Sequence, residues 1–330
     1  MTARPTAQRG AALLAAMLTV ALVATFAAAA LWQQWRSVEV EAAERSRMQS
    51  SWVLTGALDW ARLILREDVR SNSSGGADHL AEPWAVPLQE ARLSTFLAAD
   101  RNSSAEGGDS ENAFLSGDIV DLQSQLNVNN LVESGRISET GLRSFQRLFD
   151  LLGLPAAELS LLSENLRLAT AISAENAPAD MAPLAPQRVD QLVWLGLSPQ
   201  TVAVLEPHVT VLPARTPVNL NTANAEVIYA AVGGISLADA QRLVSERTRA
   251  HFRSLGDASR ALGGSQQTVL DGSASVASRF FEVRGRLRLG DTVVQERSVV
   301  QRDGLDIRTL SRERGVAAPS PDAQAAGTGR

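Results

Sequence analysis

Gln8-Arg9-Gly10-Ala11-Ala12-Leu13-Leu14-Ala15 opens an apolar run that continues to Trp35 without a charged residue. Arg4 and Arg9 precede the run and Arg36 follows it. Such a run meets the ~20 residues a helix needs to span a bilayer. The basic leader favours a cytoplasmic start, with the bulk of the chain on the other side. The helical pattern does not stop at Trp35. After Gly10, no Pro or Gly occurs until Gly56, and Glu41 and Arg45 are spaced four apart with the acid first, an arrangement that supports a helix. Val53, Ala57, Trp60 and Ile64 recur at helical spacing, and Leu54, Leu58, Ala61 and Leu65 repeat them one residue on. Together they form a broad apolar stripe. One helix is expected from about Ala11 to Arg66, on the order of 80 Å long, apolar all round at first and amphipathic beyond. Ser71 to Gly76, rich in Ser and Gly, reads as the loop that ends it.

Three processing fates fit this N-terminus. It reads as a secretory signal peptide cut among Ala27 to Ala30, as a plain membrane anchor, or as the leader of a type IV pilin-like protein. In the third case Arg9-Gly10 resembles the cytoplasmic cleavage site, with cleavage between Gly10 and Ala11. The uninterrupted helix fits the pilin plan of a half-membrane helix under a globular head. Major pilins and pseudopilins carry a glutamate at the fifth mature position, which here is Ala15. A carboxylate in lipid is costly without a partner. A subunit with no neighbour above it has no amine to pair and needs no such acid, so Ala15 fits a tip position, and it fits equally a plain anchor that never enters a filament.

The chain has 330 residues, a formal charge of -5, no cysteine and no lysine. The all-arginine usage reads as coding bias. Without cysteine there are no disulfides, thiolate metal sites or thiol catalysis. A net acidic chain does not fit a non-specific nucleic-acid binder. Residues 100–112 are rich in Ser, Gly and acids and read as a solvated loop. A calcium site built from Asp100, Asp109, Glu111 and Asp118 is the sharper alternative, without regular ligand spacing to support it. Ala113 to Leu131 reads as two short strands around a Gly117-Asp118 turn.

That last stretch, Ser116-Gly117-Asp118-Ile119 through Asn127-Val128-Asn129-Asn130-Leu131, is similar to the minor pseudopilin K family of type II secretion systems. Pro217-Val218-Asn219-Leu220-Asn221-Thr222-Ala223 and Phe280-Phe281-Glu282-Val283 resemble two further family segments, in the same order. The resemblance implies an α+β, pilin-like fold. A long N-terminal helix packs on a small antiparallel sheet, and a large all-helical domain is inserted between strands. The expected partition is a leader (1–10), a transmembrane half-helix (11–35), an amphipathic helix with loops and first strands (36–131), the insert (132–275), closing strands (276–304) and a disordered tail (305–330). The resemblance also implies cleavage after Gly10 by a prepilin peptidase, with N-methylation of Ala11. It implies inner-membrane residence with a periplasmic head. The implied partners are minor pseudopilins I and J, the major pseudopilin and the inner-membrane assembly platform. The implied role is capping the tip and initiating the pseudopilus.

Within the insert, Ser138 caps a helix bearing Leu142, Phe145, Leu148, Phe149 and Leu152, which Gly153 ends. Helices follow at Leu159–Ala171, around Gly196 within Leu192–Leu205, at Ala225–Val232, at Leu237–Thr248 and at Ser254–Leu262. The pair around Gly233-Gly234 resembles a helix-hairpin-helix unit. In nucleic-acid proteins such hairpins offer backbone N–H groups to a phosphate, so a membrane-anchored DNA-uptake protein is the alternative function. Asp239 stands where the phosphate would approach, which argues for a structural hairpin. Asn219, Asn221 and Asn224 read as caps and braces, with Thr222 at a helix start. The closing strands pair across Gly290-Asp291. That register sets Leu287 opposite Val294, Val283 opposite Ser298, Phe281 opposite Val300, and Arg284 against Arg297, with Glu282 beside them to relieve the repulsion. His79, His208 and His251 have no metal-ligand spacing. No phosphate loop, nucleophile elbow or catalytic constellation is present.

Overall fold

A computed structural model describes residues 9–71, 76–93, 113–171, 183–264, 272–290 and 292–316. The chain divides into two compact units, one ending at Thr55 and the other beginning at Gly56. Helix α1 (Arg9–Ser71) extends the expected helix by one to two turns at its C-terminal end. Within the first unit, residues 11–35 are all exposed. This stretch is long and apolar enough to cross a membrane. Trp32 and Trp35 lie with ring centroids 5.6 Å apart just before Arg36, and indoles favour the membrane–water boundary.

In the second unit a five-stranded antiparallel sheet follows chain order. Its strands are β1 (Leu88–Arg92), β2 (Ala113–Asp121), β3 (Phe280–Leu289), β4 (Thr292–Asp303) and β5 (Asp306–Val316). Leu58, Ala61 and Leu65 of α1 share a core with Trp84, Phe281, Val283, Val300 and Ile307. Arg62 donates to the Ile307 carbonyl at 2.7 and 3.0 Å, and Arg66 to the Leu305 carbonyl at 3.0 Å. The β3–β4 register is as expected, including Arg284 against Arg297, and Glu282 pairs with Arg284.

Three expectations are corrected. Gly117-Asp118 is not a turn, because β2 runs straight through it. Gly117 faces Gly285 across the β2–β3 pair, and a Cβ there would collide with the Arg284 carbonyl. The glycine permits close strand approach. Residues 306–316, assigned to the disordered tail, form β5, which pairs with β4 along its length. Their anchor is Ile307, fully buried in the core under α1. The 132–275 segment is not all-helical. The parallel pair 218–219 with 274–275 and the antiparallel pair 132–133 with 136–137 lie within it, and 126–127 pairs in parallel with its residues 209–210.

The helical body otherwise follows the sequence reading. It contains α2 (Glu139–Leu152), α3 (Ala156–Ala171), α4 (Pro199–Leu205), α5 (Ala225–Ala231), α6 (Leu237–Arg249) and α7 (Leu255–Ala261). Ser138 caps α2 through Gly141 N–H, and Gly153 closes it at φ +67°. The arm from Val189 to Leu195 is a 3-10 helix. One continuous core, including Phe145, Phe149, Leu166, Leu192, Ile228 and Leu243, fills this body.

Candidate functional site

Gly10 and Ala11 lie in the first turn of α1, and Ala15 is exposed one turn later in the apolar stretch.

The densest chemistry lies where the chain leaves the sheet after β2 and returns before β3. Asp121 is the last residue of β2 and is buried. Its Oδ1 accepts Gln123 N–H at 2.8 Å. Its Oδ2 accepts Thr222 Oγ1 and Ser278 Oγ at 2.6 Å each and Asn219 Nδ2 at 3.0 Å. Gln123 in turn accepts Arg279 N–H at 2.7 Å and donates to the Pro217 carbonyl at 3.1 Å. Burial pushes the Asp121 carboxyl up to about 6, against the pull of the Ser278, Thr222 and Gln123 donors. Beside it, Arg302 of β4 pairs with buried Asp78, with Asp68 of α1 at 3.0 Å, and donates to the Ser278 carbonyl at 2.8 Å. Asp68 is likewise raised to about 6 by burial and by Glu82. Asn221 donates to the Phe252 carbonyl and accepts Phe252 N–H, at 2.9 and 2.8 Å. This network binds sheet, α1 and helical body together.

The asparagines of the Val218–Ala223 box are braces, as expected, and Asn224 caps α5. Thr222 is not a helix start, because its hydroxyl is committed to Asp121. Sequence reading missed the convergence of Asp78, Asp121 and Arg302, which lie far apart along the chain. The only signal was an acid at the end of an apolar strand.

Asp68, Asp78 and Glu82 are close enough together to share a cation. Arg302 already occupies that role for the two aspartates, and Glu82 Oε2 accepts Trp84 Nε1–H at 2.7 Å and His79 N–H at 3.0 Å. Of the expected calcium ligands, Asp100, Asp109 and Glu111 lie outside the described residues. Asp118 faces Arg284 at 3.7 Å. His79 and His251, distant in sequence, stack with centroids 3.8 Å apart. Burial lowers the His251 pKa, and His79 and Arg253 lower it further. The hairpin at Gly233-Gly234 places an acid in the first turn of α6. Asp239 accepts Ser236 N–H at 3.0 Å and its hydroxyl at 2.8 Å, in a closed capping box.

Two family models, both described as type II secretion system (T2SS) protein K, match residues 124–214 and 218–277. A Pseudomonas aeruginosa protein named type II secretion system protein K is 28% identical, over 93% of each chain. The chain is thus similar to type II secretion system protein K along almost its whole length. A second protein K, from Pectobacterium carotovorum, is 25% identical over 93% of this chain and 97% of its own. The crystal structure of the GspK-GspI-GspJ complex from enterotoxigenic Escherichia coli contains a chain of the same fold. That chain has a TM-score of 0.63 and 18% identity, over 83% of this chain and 99% of that one. The protein K models begin just beyond Asp121 and end just before Ser278, so the buried junction brackets the family's helical body. The chain is a minor pseudopilin of type II secretion, and none of these relatives supports DNA uptake.

Proposed function

We propose that this chain caps the tip of the pseudopilus and helps initiate its assembly. Ala15 carries the reading. A shaft subunit needs an acid at this position to pair with its neighbour's amine, and a capping subunit does not. The bulk of the helical body, tens of ångströms across for a domain of its size, supports the same placement, since it cannot repeat inside a thin filament. A prepilin peptidase cuts between Gly10 and Ala11 and methylates Ala11. The protein then resides in the inner membrane with its head in the periplasm. It joins minor pseudopilins I and J, of the kinds named in the related complex, and the assembly platform and major pseudopilin extend the filament beneath it. Its role is structural, without catalysis. Gold labelling of isolated pseudopili is expected at one end only, and label along the shaft overturns the tip assignment. N-terminal peptide mass analysis is expected to give a chain starting at methylated Ala11. A start near Ala29, or retention of Met1, refutes the pathway.

A further inference from the structure

A pocket of about 630 Å³ opens between α2 and the α5–α6 hairpin, lined by Arg143, Arg147, Arg215, Glu133, Phe145 and Gly233 among others. Its charges do not balance. Glu133 pairs with Arg215, and among the described residues no carboxylate pairs with Arg143 or Arg147. Arg147 is fixed in place: its Nε and Nη2 donate to the Ala230 carbonyl at 3.0 and 2.6 Å. That grip leaves Nη1 unspent beside Gly233, where a methyl group on the glycine would lie only 3.5 Å from it. Arg143 is exposed one turn earlier on the same face of α2, because residues four apart on a helix are neighbours. Burial lowers the Arg147 pKa, partly countered by Tyr229, and Arg143 lowers it further. Two guanidiniums are thus held together, one of them immobilised by backbone carbonyls, over an apolar floor of Phe145, Val218 and Ala231.

We propose that this pocket binds the carboxylates of an acidic peptide segment on a partner protein. The unspent guanidinium fork of Arg143 matches a carboxylate in bidentate geometry, Arg147 Nη1 adds a single donor beside it, and the volume is that of a site for a ligand larger than a bare ion. Anion binding here relieves the repulsion between Arg143 and Arg147, and the apolar floor accepts the small side chains between acids. The pocket lies on the helical body and does not depend on the tip assignment.

The test uses the detergent-solubilised full chain and a fluorescent pentapeptide of alternating Glu and Ala, read by anisotropy at low ionic strength. The expected result is saturable binding that weakens with salt, is absent for the Gln-for-Glu peptide, and weakens about tenfold in Arg143→Gln. Arg143→Gln alters an exposed side chain, so an unchanged melting temperature accompanies it. Inorganic phosphate is the competing probe. Binding of phosphate without the peptide, equal binding of the Gln peptide, or an unchanged affinity in Arg143→Gln overturns the proposal.

Discussion

Replacing Asp121 by Ala tests the junction most directly. The change removes the acceptor for four donors. Asn219 Nδ2 keeps the Asp78 carbonyl at 3.2 Å and Ser278 Oγ at 2.9 Å, and Thr222 Oγ1 turns to the Asn219 carbonyl at 3.4 Å. Gln123 N–H and Ser278 Oγ–H have no second acceptor among the described residues. Two stranded buried donors cost about 1–3 kcal/mol each, so the variant is expected to lose about 4 kcal/mol at pH 5. The loss depends on pH. Asp121 has a folded pKa of about 6 against 3.8 unfolded, so the folded state holds more protons between those values. Its contribution is full below the unfolded value and is lost as pH rises through the folded one. Between pH 5 and 7 the native protein gives up on the order of 1 kcal/mol at this group. The variant has no such carboxyl, so the gap between the two proteins narrows by about that amount at pH 7, while Asp68, with a similar pKa, largely cancels in the comparison. Urea unfolding of the full chain in detergent at the two pH values, followed by circular dichroism, measures both quantities. A destabilisation under about 1 kcal/mol at pH 5, or a gap that widens toward pH 7, refutes the reasoning.

Three further outcomes are expected. Arg302→Met leaves Asp78 buried without its cation and should cost about 3–5 kcal/mol, with part recovered on adding Asp78→Asn; equal melting temperatures for the native protein and the single variant would sink the assignment. Gly117→Val drives a side chain into the Arg284 carbonyl and should cost about 1–3 kcal/mol, visible as faster amide exchange across β2 and β3; unchanged protection would mean the strands have room to part. Ser236→Ala opens the capping box of α6 and should cost about 1 kcal/mol. Its exchange signature should be confined to the first turn of α6, and no local change would show that the cap contributes nothing.

Local patterns carried most of the fold. The helix of 63 residues, the Ser138 cap, the Gly153 stop and the β3–β4 register each depend on neighbours in sequence, and each could be read there. The failures arose where the deciding contact is remote. Gly117 looks like a turn residue until β3 is placed against it, since only the Arg284 carbonyl explains the missing side chain. β5 was hidden by its charged exposed face, although Asp303-Gly304 before Leu305 is a hairpin signal that could have revealed it. Asp121 alternates correctly on its strand, but nothing near it in sequence announces Thr222, Asn219 or Ser278. The N-terminal site was the reverse case. Gly10, Ala11 and Ala15 are singled out by position alone, and the fold adds only that they stand in helix.

The hydrogen bond between Asp121 and Ser278 spans 157 positions, and this sets the order in which the head can form. The β3–β4–β5 meander is local and can zip by itself. β2 can join it only after a segment of that length has been closed, at an entropic cost of about 4–5 kcal/mol if the segment is still a coil. If the helical body condenses first, its entry and exit already lie side by side, and the closure cost falls to that of a short loop. Late docking of β2 onto β3 therefore makes the head a kinetic checkpoint. A chain whose helical body is unfolded presents an incomplete sheet with an open β3 edge.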